Sequence, residues 1–268
     1  MIILFGIYTF VIGLAFGSFA LAVADRSQKN KNWVTGRSAC DNCHKNLDFF
    51  DLVPVLSYLF TWGRCRHCQT KLSALYPLVE LIMGTVFLSS YLLTLDNTGL
   101  ISIIQLLLWL LGLVLMMILV IIDARTLTLP YKFLMPLIGL SALYAGSELF
   151  RQESVAHYLV MLVASLAVSF GVFLFLYLFS RGKWIGDSDV LLGIAMGLFL
   201  ADPYLSWLAI VLASVLGLIY GMSIVMVRKK PLKNLKIPFG PFLIIGLFIA
   251  YTCGQQIIDW YIASVLFL

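Results

Sequence analysis

The sequence predicts an all-α integral membrane protein of about eight transmembrane helices, with a small zinc-ribbon-like insert between the first two. Three observations support this: 62% of the 268 residues are hydrophobic and only 12% are charged, apolar runs of about 20 residues recur, and one polar segment interrupts them. A soluble domain is roughly 45–50% apolar and 25% charged. The runs are continuous rather than alternating, so a β-barrel is not expected.

The apolar runs give the elements in chain order. They cover residues 2–24, 73–95, 100–122, 133–149, 158–180, 190–200, 205–227 and 242–263. The sixth run is short for a span, so this helix either begins earlier, near Trp184, or is a short or re-entrant helix buried among the others. The first run lacks a basic leading segment and a small-residue cleavage site, which indicates a retained helix rather than a signal peptide.

Positive charges identify the cytoplasmic face. If the runs alternate in direction, segments 25–72, 123–132, 181–189 and 228–241 share one side and hold 17 of the 18 Lys and Arg residues, leaving only Arg151 opposite. Lys and Arg are enriched in cytoplasmic loops. We therefore expect a multi-pass protein with both termini outside. Because topology accounts for the net charge of +5, no nucleic-acid partner is expected.

Residues 25–72 form a cytoplasmic insert between the first helix, residues 1–24, and a membrane core, residues 73–268. The insert carries two C-x-x-C pairs, formed by Cys40, Cys43, Cys65 and Cys68. Two residues between thiolates let one tight turn present both sulfurs to a tetrahedral ion, so the spacing predicts a structural zinc site. Two disulfides are the alternative, which a reducing compartment disfavours. A metal would also stabilise a segment too small to bury a sizeable core.

Acidic residues at the ends of membrane helices are candidate functional groups, because charges are costly there. Asp123 directly follows the third run, and Asp187 and Asp189 open the sixth run at the same face. Two close carboxyls cannot both ionise readily, so a pair would hold one proton and provide an acid and a base. Such a pair can activate water against a peptide carbonyl, as aspartic proteases do. Solvated loop acids or helix caps are the alternative.

Glu80 is a further acid, early in the second apolar run. It could be a helix-end group that faces the insert, or a binding residue.

Taken together, these residues resemble the type IV prepilin peptidases, membrane aspartyl proteases that trim pilin-like precursors. The resemblance runs over most of the chain. Its motifs are the first cysteine pair, DLVPVLSYL at 51–59, GRCRHC at 63–68, YPLVE at 76–80, GSF at 17–19 with Arg26, Asp123 seven positions before Pro130, and IPFGP at 237–241.

The chain departs from the family pattern in three places. Tyr131 follows Pro130 where the family usually has an acid, although that acid is not the one assigned to catalysis. The first cysteine pair lacks an internal proline, which removes no ligand. The family's Gly-x-Gly-Asp can be aligned in two registers, and the choice decides which aspartate is catalytic.

One register aligns residues 186–189, which makes Asp189 catalytic and replaces the second glycine with serine. The other aligns residues 184–187, which makes Asp187 catalytic and replaces the first glycine with tryptophan. The first register is preferred, because it also matches the family's helix residues further along the chain. Those matching residues are Val190, Leu192 and Gly197.

The resemblance implies an enzyme of the bacterial cytoplasmic membrane that removes a short basic leader from a pilin, or from a competence or secretion pseudopilin. Asp123 and Asp189 would be catalytic, with Asp187 a supporting or alternative acid. Many members also N-methylate the new N-terminus with S-adenosylmethionine, and the insert and Glu80 are the expected methyl-transfer or substrate region. No nucleotide-type glycine loop is visible, so methyl transfer rests on the resemblance alone.

Two functions of other classes stay open at this point. The first is a non-catalytic membrane scaffold whose zinc insert docks proteins of pilus or secretion assembly; it is distinguished by whether Asp123 and Asp189 approach each other. The second is a transporter with an intramembrane proton relay. A transporter would require acids near mid-membrane or inverted repeats, and neither is apparent.

Overall fold

The computed structural model describes residues 2–29, 38–40, 42–94, 99–228 and 237–265. Within those residues every regular element is helical, which confirms the predicted all-α class. Residues 30–37 and 229–236, with six of the predicted cytoplasmic cations, lie outside the described residues. By its contacts the chain divides into two compact units, Met1–Thr98 and Gly99–Leu268.

The first unit is an antiparallel helix pair with the insert between its members. Its elements are α1 (Ile2–Gln28), a 3-10 helix (Phe49–Leu52), α2 (Leu56–Phe60) and α3 (Leu75–Leu93). Glycines bring α1 and α3 together: a Cβ on Gly13 would lie 2.6 Å from the Met83 carbonyl oxygen, and one on Gly17 would lie 2.7 Å from the Glu80 Cα. Such close approach through small residues is how membrane helices gain packing energy.

The insert contains two turns of the same design, one for each cysteine pair. Each turn is closed by an isolated antiparallel bridge, between Ala39 and Asn46 in the first and between Arg64 and Lys71 in the second. The residue after each pair, His44 or Gln69, has a left-handed φ of 57°. The two turns therefore present their cysteines in the same way.

The described part of the second unit, residues 99–228 and 237–265, contains six helices. They are α4 (Leu100–Thr126), α5 (Tyr131–Glu148), α6 (Val155–Ser180), α7 (Asp187–Leu200), α8 (Pro203–Arg228) and α9 (Gly240–Val265). The 14-residue α7 packs against α5, α6, α8 and α9. Its Leu192 and Met196 are fully buried. The sixth apolar run is therefore the short, buried helix, and it begins at Asp187 rather than near Trp184.

Some buried hydroxyls of this unit are hydrogen-bonded between helices. The Ser165 hydroxyl of α6 donates to the Gly197 carbonyl of α7 at 2.9 Å and lies 2.8 Å from the Ser206 hydroxyl of α8. Gly193 also faces α6 closely, since a Cβ there would lie 2.7 Å from the Ser169 carbonyl oxygen. A membrane interior offers no water to such groups, so these bonds and close contacts hold α7 in place.

Six helices of the described residues are long and apolar enough to cross a membrane: α1, α3, α4, α6, α8 and α9. The fifth helix, α5, is not among them, and the 14 residues of α7 extend about 21 Å, less than the roughly 30 Å of a hydrocarbon core. The protein is a multi-pass membrane protein, while eight crossings and the three-part domain division stay predictions.

Packing around α7 generates the first test. Gly193→Ala should reduce the free energy of unfolding by about 1–3 kcal/mol, because the added methyl overpacks the Ser169 backbone. The change should appear as a lower midpoint of thermal unfolding in detergent. Gly171→Ala on α6 is the control, since a Cβ there meets nothing within 4 Å and both changes carry the same gain in helix propensity. Equal midpoints for the two variants would show that α7 does not pack this closely.

Candidate active site and metal centre

Asp123 lies in the last turn of α4 with only 5% of its surface exposed. The helix ends at Thr126, and the N–H of the left-handed Leu127 caps it by donating to the Asp123 carbonyl at 2.9 Å. The carboxylate accepts a hydrogen bond of 3.0 Å from the N–H of Gly240, the first residue of α9. A Cβ at Gly240 would lie 2.8 Å from that carboxylate oxygen, so a glycine is needed for this approach.

Asp189 is the third residue of α7 and is partly buried. Its carboxylate accepts a hydrogen bond of 3.3 Å from the N–H of Gly186, the residue before the helix. Burial, and then the charge of Asp123, raise the pKa of Asp189 to about 6. The negative charge of Asp123 therefore acts on the Asp189 carboxyl group, so these two residues are in electrostatic contact.

Asp187 has a different environment. Its side chain is exposed and accepts hydrogen bonds from the Tyr131 hydroxyl of α5 and, at 2.9 Å, from the Ser188 N–H. The bond to Asp187 also raises the pKa of the Tyr131 phenol. In the sequence alone, Tyr131 stands out only as a departure from the family pattern. The phenol and Asp187 form a pair of their own, and this favours Asp189 as the acid that faces Asp123.

Three helix ends converge on this site: the C-terminal turn of α4 and the N-termini of α7 and α9. Helix N-termini carry a partial positive charge that stabilises nearby anions. Two carboxyls in mutual electrostatic contact hold one proton more readily than two negative charges. Such a pair provides an ionised carboxylate and a protonated carboxyl, which are the base and the acid that general acid–base catalysis uses.

Glu80 lies in the first unit, buried in α3. Its carboxylate accepts a hydrogen bond of 2.7 Å from the Val55 N–H of the insert, and it is also hydrogen-bonded to Ser18 of α1. Val55 has a φ of +60°, which a β-branched residue rarely adopts. Of the two predicted roles, these contacts support the helix-end group that faces the insert.

The four cysteines of the insert come together as predicted. Their sulfurs lie within 4.8 Å of one another, and none is in a disulfide. The Sγ atoms of Cys40 and Cys68 are 3.8 Å apart, far longer than a disulfide bond of about 2.05 Å. A tetrahedral ion with Zn–S bonds of about 2.3 Å requires sulfurs about 3.8 Å apart.

Hydrogen bonds at the second pair favour thiolate formation. Those from Thr70, together with a weaker one from Asn42, lower the pKa of the Cys68 thiol to about 5. Metal ions bind the thiolate form of cysteine. The donor set and its geometry thus fit a four-thiolate zinc site, and neither His44 nor His67 belongs to this cysteine cluster.

An all-helical, multi-pass bundle with carboxyls gathered at its helix ends fits the class of membrane aspartyl proteases. The chain belongs to the type IV leader peptidase family: residues 110–222 match the model of that family, and residues 11–94 match that of the bacterial peptidase A24 N-terminal domain.

Curated relatives agree with this assignment. The chain is 34% identical over 215 residues to the type 4 prepilin-like proteins leader peptide-processing enzyme of Escherichia coli O78:H11, covering 78% of this chain and 73% of the relative. It is 26% identical over 265 residues to the prepilin leader peptidase/N-methyltransferase of Bacillus subtilis, with 96% and 98% covered. For the protein of that name in Aeromonas salmonicida, identity is 29% over 237 residues, with 88% and 77% covered. No solved structure matches the chain significantly.

The cysteine cluster predicts the metal content. Purified protein should contain about one zinc per chain by elemental analysis, and the double variant Cys40→Ser plus Cys65→Ser should lose it. Loss of the metal should increase protease sensitivity in residues 25–72 before it affects the membrane helices. Cys253→Ser is the matched control, since Cys253 is exposed on α9. Full zinc stoichiometry in the double variant would refute the four-cysteine site.

The electrostatic contact predicts a change in pH dependence. Because the pKa of Asp189 is raised, a catalytic pair that includes Asp189 would lose its proton as the pH rises through that pKa. The reaction would then lack its acid. The charge of Asp187 contributes to the raised value, so Asp187→Asn should move the alkaline limb of kcat/KM to lower pH, by less than about one unit.

The control for this shift is Asp259→Asn, which changes an exposed acid near the end of α9 and should leave the limb in place. An alkaline limb that stays unmoved in Asp187→Asn, or that moves to higher pH, would show that Asp187 does not act on the titrating pair.

Proposed function

We propose that the protein is a membrane aspartyl endopeptidase that removes the leader of a type IV prepilin-like precursor, with Asp123 and Asp189 as its catalytic pair. One observation carries the proposal: the Asp123 carboxylate is buried and held by the Gly240 N–H, and its charge adds to burial in raising the pKa of Asp189. The names of the curated relatives supply the substrate class.

In the proposed reaction the pair carries one proton. The ionised carboxylate takes a proton from water as the water oxygen attacks the scissile carbonyl carbon, and the protonated carboxyl gives its proton to the carbonyl oxygen. As the intermediate collapses and its C–N bond breaks, the newly protonated carboxyl gives its proton to the leaving amine. The other carboxylate takes a proton from a hydroxyl of the intermediate, which restores the pair. The N-terminus of α9, which already donates to Asp123, stabilises the ionised form throughout.

Asp187 is suited to the basic leader. Its carboxylate is exposed and lies two residues before Asp189, and its orientation is fixed by the Tyr131 hydroxyl and the Ser188 N–H. An exposed carboxylate at the entrance of the site attracts a lysine or arginine of the leader. This local acid offsets the repulsion expected from the 17 predicted cytoplasmic cations.

The proposed location is the bacterial cytoplasmic membrane, with the site at its cytoplasmic face and both termini outside. The support is the distribution of Lys and Arg, because 17 of these 18 residues fall on one side of the predicted spans, as is typical of cytoplasmic loops. A leader that arrives from the cytoplasm would meet the pair while the apolar helix of its precursor stays in the membrane.

Methyl transfer to the new N-terminus is a second proposed activity, with S-adenosylmethionine as the methyl donor. It is supported by the names of the curated relatives, several of which are prepilin leader peptidase/N-methyltransferases. Zinc is proposed as the structural metal of the insert. Glu80 is proposed to position the insert, because its carboxylate is engaged by Val55 and Ser18.

The scaffold and transporter alternatives are less well supported. A docking scaffold has no need for two carboxylates in electrostatic contact, yet the charge of Asp123 acts on Asp189. A proton relay needs acids along a membrane path, whereas this pair lies at helix ends.

The catalytic pair is tested by co-expressing the protein with a prepilin and reading the mature N-terminus by mass spectrometry. Asp123→Asn and Asp189→Asn keep the side-chain shape but cannot carry the proton, so each should reduce cleavage by at least about 10³-fold. Methylation should fall with it, because the new N-terminus is never formed. Both variants should remain inserted and retain zinc.

Asp187→Asn is the matched control and should retain substantial cleavage. If Asp187→Asn abolishes cleavage while Asp189→Asn does not, the alternative register is right and Asp187 is catalytic. Intact cleavage by both the Asp123→Asn and Asp189→Asn variants, at equal expression, would refute the pair.

A further inference from the structure

The insert turns apolar side chains outward. On α2, Leu56, Leu59 and Phe60 occupy positions i, i+3 and i+4, which share one helix face. Leu59 and Phe60 are 61% and 80% exposed, and Trp62, just past the helix, is 89% exposed. We call these four residues the apolar face of the insert. The 3-10 helix that packs against α2 adds two more exposed aromatic rings, those of Phe49 and Phe50.

The other side of α2 is occupied by the insert itself. The Tyr58 ring packs so closely over Gly63 that a Cβ there would lie 2.8 Å from it. The Thr61 hydroxyl donates to the Ser57 carbonyl at 2.8 Å. The apolar face is thus not needed to complete the insert's own core, and a cluster of large apolar side chains left in water is unusual unless it contacts a partner or a membrane.

One hydrogen bond fixes the position of α2 along the membrane helices. Val55, directly before α2, donates its N–H to the Glu80 carboxylate at 2.7 Å. Glu80 is the sixth residue of α3, so it lies about 7.5 Å along the helix axis from Leu75. Because α3 is long and apolar enough to span a membrane, α2 begins beside the end of a membrane helix rather than out in the solvent.

The connections of the insert also place it at the end of the membrane helices. It leaves α1 at Gln28 and re-enters α3 at Leu75, and these two helices are antiparallel and in close contact through Gly17. Both attachment points therefore lie at the same end of the helix pair. An insert tied at both ends and pinned at Glu80 stays at the membrane surface.

The chemistry of the surface matches a bilayer boundary. Trp62 is followed within two residues by Arg64, which pairs across a bridge with Lys71, and both cations are exposed. Tryptophan and other large apolar side chains accumulate at the boundary between acyl chains and headgroups, where neighbouring cations interact with anionic lipid phosphates.

We infer that the apolar face of the insert is buried in the headgroup–acyl boundary of an anionic phospholipid leaflet, with Arg64 and Lys71 at the level of the phosphates. The zinc site then holds α2 in the plane of the membrane, and Glu80 sets its depth. Only the assignment of this leaflet as the cytoplasmic one rests on the proposed topology.

The test is site-specific photocrosslinking of the full chain in vesicles of phosphatidylethanolamine and phosphatidylglycerol. Benzoylphenylalanine is placed at Phe60 or Trp62, or at Lys45 of the first turn as an exposed polar control. Mass spectrometry should find about tenfold more lipid adduct at positions 60 and 62 than at position 45, because only the former lie among acyl chains. The midpoint of thermal unfolding, compared with that of the unlabelled protein, checks that each labelled protein is folded.

Crosslinks from positions 60 and 62 to residues 99–268 would instead show that the second unit covers this face. Crosslinks to an added prepilin would show a substrate-docking surface, and absence of any adduct would show exposure to water; each result overturns the inference. These outcomes are independent of whether the chain cleaves prepilin.

A second measurement avoids the unnatural residue. The difference in fluorescence between the wild-type chain and Trp62→Phe gives the signal of Trp62. Lipids brominated near the headgroup should quench this difference signal. An unquenched difference signal would also contradict burial in the boundary.

Discussion

The hydrogen bond from the Gly240 N–H to the Asp123 carboxylate joins the end of α4 to the beginning of α9, across 117 residues of sequence. A buried carboxylate without a partner is costly enough to neutralise itself. This donor, at a helix N-terminus, offsets part of that cost for an ionised Asp123. The electrostatic contact with Asp189, and the chemistry proposed for the pair, depend on that bond.

The membrane sets the second constraint, because its interior offers no hydrogen bonds to helices that separate. The chain satisfies this constraint by placing small residues and hydroxyl groups where helices meet. Gly193 packs closely against the Ser169 backbone, and the Ser165 hydroxyl donates to the Gly197 carbonyl. Close packing of this kind lets a helix as short as α7 sit among longer ones. Its N-terminus, with Asp187 and Asp189, is thereby brought within electrostatic reach of the last turn of α4.

Much of this could be predicted from sequence, since the deciding signals are local. Apolar run length identified the helices, and C-x-x-C spacing identified a cluster that the structure brings together. Contacts between distant segments left no such signal: the phenol of Tyr131 bound to Asp187 and the carboxylate of Glu80 bound to Val55 are set by tertiary packing. The count of eight spans stays a prediction for the same reason, because apolar composition does not distinguish a crossing helix from a short buried one such as α7.

The central claim is that Asp123 and Asp189 share one proton. Infrared titration of the unliganded protein measures this directly, by following the absorption of protonated carboxyl groups in the wild-type chain and in the Asp123→Asn, Asp189→Asn and Asp187→Asn variants. If the proton belongs to the pair, one and the same signal disappears in either of the first two variants and persists in the third. Two separate signals, each lost with its own residue, would contradict the account.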